Sequence, residues 1–366
     1  IVDDYGFSKL GFYAEIKDDI KTRRTIFIPL SVQKSTTEQG LNFLWNIDTI
    51  ALKPNERLEY YFSVWDNDGI NGAKQSTSQK WSFEVPSLNE LNTESSKESE
   101  KTKDLLDKEQ SELDKMEKEL KALRKDLLEK KKPDWEEKEK FQELLEKQKD
   151  MMEKLEDRAQ EQQKQNQKDN KFNEYSEEML EKQRKIEEMF EKLFDDEFKE
   201  KYEEWSKMME EFGKKEMLEK LEDMELDNEK LEKELDRTLE LFKELELEQK
   251  VENLKNKAEE LADKQEELKE KTEDKKEDNS NLKEEQDKLS EEMKELKEDI
   301  KKLEELNQDL EQPKSLPELN DDAEKAEEEM KESSENLEKN NKIKSGQNQQ
   351  NAKDELDKMG EKLGQF

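Results

Sequence analysis

The residues best suited to chemistry lie in one short stretch, VWDNDGINGAK, which begins at Val64. Asp66 and Asp68 stand two residues apart and precede Gly69, as ligands do at the start of a helix–loop–helix calcium site. Such a site needs ligands at positions 1, 3 and 5, Gly at 6 and Glu at 12, and here Val64 and Gln75 fall at positions 1 and 12. The stretch therefore favours a hairpin turn rich in Asp, Asn and Gly. Calcium binding at the edge of a β-domain remains an alternative.

Other catalytic chemistry has few candidate residues. The chain contains no Cys and no His, which excludes thiolate–imidazole zinc sites, serine–histidine triads and cysteine nucleophiles. The sequence has neither a P-loop nor a G-x-G-x-x-G fingerprint. Acidic residues are so abundant that pairs at catalytic spacing are expected by chance, and no concave pocket is indicated. We therefore predict a non-enzymatic protein, with no catalytic residue, no cofactor and no metal beyond the calcium alternative.

The composition is unusually charged. Only 29% of residues are hydrophobic and 47% are charged, against about 45–50% and about 25% in an average soluble domain. Residues 1–86 hold 12 acidic and 10 basic side chains, whereas residues 87–366 hold 91 and 58. The second region must be disordered, or consist of elongated helices with narrow apolar seams. Its acidic field would repel nucleic acid and anionic lipid, so we expect no nucleic-acid partner.

Residues 1–86 show the period of two that is typical of half-buried strands. Five runs carry the pattern or a short apolar stretch: Leu10–Ile16, Thr25–Leu30, Phe43–Ile47, Leu58–Val64 and Trp81–Val85. Their hairpin-length connections predict a small antiparallel β-sandwich of immunoglobulin-like type. Such sandwiches usually have more strands, so we expect this one to be incomplete.

The period changes after Pro86. Ser87 and Glu90 have the spacing of a helix capping box. From Leu113 to Leu127, apolar residues then repeat at intervals of three and four. Residues 87–312 are therefore predicted to form long coiled-coil helices or helical hairpins, with breaks near 133, 160–173, 213 and 272–281. Residues 313–366 are predicted to form short helices and a flexible Asn/Gln-rich tail.

One helical face is far more apolar than the leucine seams. This face, called the aromatic face below, comprises Phe190, Phe194, Phe198, Tyr202, Trp205, Met209 and Phe212. Such a face usually packs against other helices or subunits. Because Met and aromatic side chains also suit adaptable recognition, the alternative is an exposed surface that binds a partner or an unfolded client.

Four motifs resemble the large bacterial envelope proteins classed as domain of unknown function 4175. They are Asp3–Phe7 (DDYGF), Tyr60–Phe62 with Trp65–Gly69 (YYF and WDNDG), Phe83–Leu88 (FEVPSL) and Glu232–Phe242 (EKELDRTLELF). The resemblance implies two membrane spans near the start of the full protein, then β-domains and long acidic helices that face the periplasm. The chain begins at Ile1, so we expect it to be an internal piece of an inner-membrane-anchored protein. The resemblance implies no catalytic residue.

Three functions follow as hypotheses. The first is a non-enzymatic envelope scaffold or interaction module, in which acidic helical hairpins engage protein partners or self-associate through their heptad seams. The second is a holdase-like chaperone that uses the aromatic face. The third and weakest is calcium-dependent binding at the β-domain. Uncharged runs such as Thr25–Gln33 fall far short of the ~20 residues of a spanning helix, so we expect membrane attachment only through spans outside this segment.

Overall fold

The computed structural model describes residues 1–4, 6–18, 21–34, 36–68, 72–173, 175–193, 196–208, 211–274 and 277–366. These residues divide into two compact units, Ile1–Glu94 and Ser95–Phe366. The first contains an antiparallel sheet and the second is helical, so the predicted α+β layout is confirmed.

The sheet has five described strands in the order β2–β1–β3, with both β4 and β5 paired to β3. Their bounds are β1 (Phe7–Asp18), β2 (Lys21–Leu30), β3 (Glu56–Asp66), β4 (Gln75–Thr77) and β5 (Trp81–Glu84). Alternate residues of β1 point to one face, where Phe12 lies opposite Ile28 on one side and Phe62 on the other. The period of two therefore corresponds to strands with one buried face, as the sequence predicted.

The second layer of the predicted sandwich is not a sheet. The described strands all belong to one open sheet, and the run Phe43–Ile47 forms no strand but leads into a 3₁₀ turn at Ile47–Ile50. Phe43 and Trp45 cover the sheet through ring contacts with Phe12, at centroid distances of 5.0 and 4.7 Å. Alternation in this run reflects side chains that insert into the core from an irregular segment, without ladder pairing.

Eight helices follow in the described residues. They are α1 (Leu88–Glu129), α2 (Trp135–Phe172), α3 (Glu177–Leu193), α4 (Asp196–Met208), α5 (Lys214–Glu273), α6 (Asn279–Gln308), α7 (Asn320–Glu338) and α8 (Lys342–Gly364). The capping box at the start of α1 is confirmed, because the Glu90 amide donates to Ser87 Oγ and the Ser87 amide donates to Glu90 Oε2. A second box begins α2, where Asp134 and Glu137 exchange the same pair of bonds.

The predicted break at 160–173 is misplaced, because residues 160–172 lie inside α2, whose C-cap is Asn173. The polar side chains that face inward are buried, and two of them bond to α1. Thr102 Oγ1 donates to Gln162 Oε1 at 2.9 Å, and Ser95 Oγ donates to Asp169 Oδ2 at 2.7 Å. A polar run can stay helical at a buried face when its buried side chains find hydrogen-bond partners.

The predicted flexible Asn/Gln-rich tail is also wrong, because residues 342–364 form α8. Asn348 donates to carboxylates of α7 at Glu329 (2.6 Å) and Glu332 (3.0 Å), and Asn351 donates to Glu329 at 3.1 Å. The composition of this stretch indicated flexibility. Its hydrogen-bonding partners are carboxylates on another helix, which local composition does not reveal.

The helical residues of the second unit pack as two successive bundles, and the part of α1 that belongs to them begins at Ser95. The first bundle consists of α1, α2, α3, α4 and residues 214–245 of α5, around a core that runs from Leu106 to Leu245. The second consists of residues 247–273 of α5 with α6, α7 and α8, around a core that runs from Leu247 to Leu363. At ~1.5 Å per residue, the 60 residues of α5 span about 90 Å and belong to both bundles.

The long helices α5 and α6 run antiparallel. In the second bundle, Lys271 pairs with Glu285 while Lys264 pairs with Glu292, so rising numbers in α5 meet falling numbers in α6. The apolar seams of the long helices therefore meet one another within a single chain.

Candidate functional site: a charged groove between the first two helices

The aromatic face does not lie open in its described part. Phe190, Tyr202, Trp205 and Phe212 are between 2% and 8% exposed and belong to the core of the first bundle. Phe194 and Met209 lie outside the described residues, as does the side chain of Phe198. The prediction of a partner-binding surface is therefore wrong for the four residues whose placement is described.

Packing against α2 and α5 explains this burial. The Phe212 ring lies 6.4 Å from the Phe141 ring in an edge-to-face contact. The Tyr202 hydroxyl donates to Asp227 Oδ2 at 3.3 Å, and burial raises the pKa of the Tyr202 phenol well above its usual range. Lys220 from α5 covers the Trp205 ring, with Nζ 4.7 Å from its centroid. The described part of the aromatic face is thus a helix-packing face.

Asp66 is the last residue of β3, and Asp68 follows it by two residues. Asp66 Oδ1 accepts from the Lys74 amide at 2.8 Å and from the Asp68 amide at 3.3 Å. The Lys74 ammonium lies 3.8 Å from Asp68 Oδ2. Apart from Gly69, Ile70 and Asn71, which are not described, this is the pattern of an Asp-capped turn.

No cluster of three or more acidic side chains suited to a metal ion is found in the described ranges. Calcium binding at Asp66 and Asp68 stays a prediction.

The residues that do form a concave site lie between α1 and α2. This groove, called the α1–α2 groove below, holds a cavity of about 220 Å³ lined by eight charged residues and two methionines. Met116 from α1 and Met151 from α2 are buried and form its apolar floor. The lining residues recur at helical spacing on each helix, so the antiparallel pairing of α1 and α2 brings the two rows together.

Ion pairs occupy most of the groove's charged lining. Lys115 Nζ lies 2.7 Å from Glu112 Oε1, and Lys147 Nζ lies 2.9 Å from Glu119 Oε2. Lys154 pairs with Asp150. These side chains are substantially exposed, and such pairs are each worth only about 0–1 kcal/mol. These pairs form the rim of the groove. None of them is a hydrogen bond to the buried lining residue beneath the rim.

That residue is Glu109, which the sequence reasoning missed. Its side chain is 2% exposed, and Oε1 is buried with no hydrogen-bond partner among the described residues. Burial raises the pKa of the Glu109 carboxyl, while the nearby ammonium groups of Lys154 and Lys108 offset part of that rise. A buried carboxylate oxygen without a donor costs free energy and is a candidate for ligand contact.

A signal for Glu109 was present in the spacing. The 3–4 apolar repeat that begins at Leu113 extends backwards through Glu109 and Leu106 to Thr102. Glu109 therefore occupies a position where the seam otherwise carries Leu or Met. The residue type does not set Glu109 apart, because 47% of the residues are charged.

Comparison with family models, curated proteins and solved structures found no match for this chain. The resemblance to domain of unknown function 4175 therefore stays a prediction. Across the described part of the chain, every helix is too short or too polar to cross a membrane.

Proposed function

We propose that this chain is a non-enzymatic scaffold whose acidic helical bundles bind basic protein partners. The observation that carries the proposal is the closure of the long apolar seams within the chain. Leu113, Leu235 and Leu303 illustrate this, since each is at most 2% exposed in a core built from several helices. The surface that the bundles present to other molecules is therefore chiefly charged.

The sign of that charge selects the partner. Residues 87–366 carry 91 acidic and 58 basic side chains, and a field of this kind attracts basic proteins and speeds their encounter. Because the seams are occupied, we leave self-association through them out of the proposal. A holdase role is not favoured, since the described part of the aromatic face is buried.

The proposed setting is the bacterial envelope, on the periplasmic side of an inner-membrane-anchored protein. This part rests on the motif resemblance alone. Localisation of the tagged full-length protein by protease protection of intact and permeabilised cells would test it. Equal cleavage before and after the outer membrane is opened would overturn this placement.

A binding measurement tests the partner chemistry. The immobilised chain is exposed to oligolysine and to oligoglutamate of equal length over a salt series. We expect oligolysine to bind and its affinity to fall as salt rises, because paired surface charges are screened. Absence of oligolysine binding at low salt, or equal binding of oligoglutamate, would reject the proposal.

A second measurement asks whether the helices meet a partner in the native envelope. A photo-crosslinking residue is placed at Glu291, an exposed position of α6, and at Thr77, an exposed position of the sheet. We expect adducts from Glu291 with a protein that has a local excess of Lys and Arg. Adducts only from Thr77 would move the interaction away from the bundles.

A further inference from the structure

We propose that the α1–α2 groove is a socket for a lysine side chain of a protein partner, whose ε-ammonium pairs with Glu109. The inference rests on the proposed function and names the chemistry by which a basic partner is recognised. Glu109 is 2% exposed, lines the cavity, and leaves Oε1 with no partner in the described residues. An arriving ammonium would supply the missing donor.

The arrangement of charges favours a cation over an anion. Three of the lysines that line the groove already pair with rim carboxylates. The fourth, Lys108, is exposed and therefore well hydrated. An anion would have to displace existing pairs or water, whereas a cation meets a carboxylate that is already desolvated. Burial raises the pKa of the Glu109 carboxyl, and a bound ammonium would lower it again.

The size of the cavity favours a single side chain over a free ligand. Its volume of about 220 Å³ lies below the ~300–1,000 Å³ of ordinary small-molecule pockets. The methionine floor suits the methylene stem of lysine, because long basic side chains bury their stems along apolar surface. Met116 and Met151 are also adaptable enough to close around such a stem.

Lysine fits this geometry better than arginine. One buried carboxylate oxygen lacks a donor, which a compact ammonium can satisfy. A guanidinium presents a planar fork that is best matched by two acceptors side by side. The socket should therefore distinguish two peptides that carry the same charge.

The experiment uses the whole chain with ¹³C-labelled methionine methyl groups. Oligolysine and oligoarginine of equal length are titrated, and the signals of Met116 and Met151 are followed. Met330 and Met359, which are buried in the second bundle, serve as references. We expect both peptides to bind, but only oligolysine to shift the two groove methyls while the references stay unchanged.

The decisive variant is Glu109→Gln, which keeps the side-chain shape and removes the charge. We expect the groove shifts to fall at least about tenfold at the same peptide concentration, since loss of one member of a buried pair is far more costly than loss of a rim charge. Glu153→Gln, at an exposed position of α2 outside the groove lining, is the matched control and should retain them. Circular dichroism verifies that both variants fold.

The outcomes separate this inference from the proposed function. If oligolysine binds but leaves the groove methyl signals unchanged, the socket proposal is wrong and the acidic scaffold proposal stands. The same conclusion follows if the methyl signals shift equally in Glu109→Gln or with oligoarginine. If neither basic peptide binds, the scaffold proposal itself fails.

Discussion

Replacing Glu109 by Leu should stabilise the first bundle at neutral pH. The change removes a buried acceptor whose Oε1 has no partner in the described structure, which is worth about 1–3 kcal/mol. It also continues the seam of Leu106, Leu113 and Met116 with a residue of the same class. The added apolar surface amounts to about one methylene or less, or roughly 0.8 kcal/mol. We therefore expect the free energy of unfolding to rise by about 2 kcal/mol, which urea titration followed by circular dichroism can resolve.

The pH dependence of the stability gain tests whether burial of the Glu109 carboxylate is its cause. Burial raises the pKa of Glu109 in the folded chain above the ~4.3 of an unfolded glutamate. Folding therefore favours the protonated form, and the wild type gains stability as pH falls through the folded pKa. That gain is complete below the unfolded pKa and is lost as pH rises. The advantage of Glu109→Leu should be largest at pH 7 and should shrink towards pH 4.

Two results would refute this reasoning. A loss of stability in Glu109→Leu at pH 7 would mean that the carboxylate has favourable partners. A gain that is the same at pH 7 and pH 4 would mean that packing alone is responsible. Glu112→Leu, on the partly exposed rim, is the control and should change stability by no more than about 0.5 kcal/mol.

Four other substitutions test the structure. Gln265→Leu should stabilise the second bundle by about 1–3 kcal/mol, because both amide atoms of the fully buried Gln265 lack partners among the described residues. Gln286→Leu should instead lower the free energy of unfolding measured in urea, because it loses the hydrogen bonds from Ser333 and Gln349. Phe190→Ala should lower the unfolding free energy by about 3–5 kcal/mol if this residue is core, whereas an exposed binding residue would leave it nearly unchanged. Asp134→Ala removes the cap of α2 and should cost about 1 kcal/mol, with faster amide exchange in the first turn.

The periodicity of the sequence predicted the kind of element well. The switch from a period of two to the 3–4 repeat after Pro86 matches the end of β5 and the start of α1. The run Phe43–Ile47 shows the limit of that reasoning. A period of two reports which side chains reach the core, and an irregular covering segment meets this condition as well as a strand does.

Polar stretches were harder to interpret than apolar ones. A break was predicted at 160–173 and flexibility in the Asn/Gln-rich stretch 340–351 because apolar anchors are scarce there. The structure places Gln162 and Asn348 against hydrogen-bonding partners on other helices. Such partners are distant in sequence, so local composition cannot reveal them. The same reason concealed Glu109, whose importance depends on burial and not on residue type.

The buried polar positions also limit how the helices can align. A heptad repeat of Leu and Met accepts a partner helix displaced by seven residues with little loss of apolar contact. In the observed register Thr102 bonds Gln162, and Ser95 bonds Asp169. A displacement of seven that places Leu155 opposite Thr102 would bring Gln162 opposite Ser95 and leave the buried Asp169 carboxylate without its hydroxyl donor. Each unsatisfied group costs about 1–3 kcal/mol, so these bonds select one alignment among several that the leucine seams alone would permit.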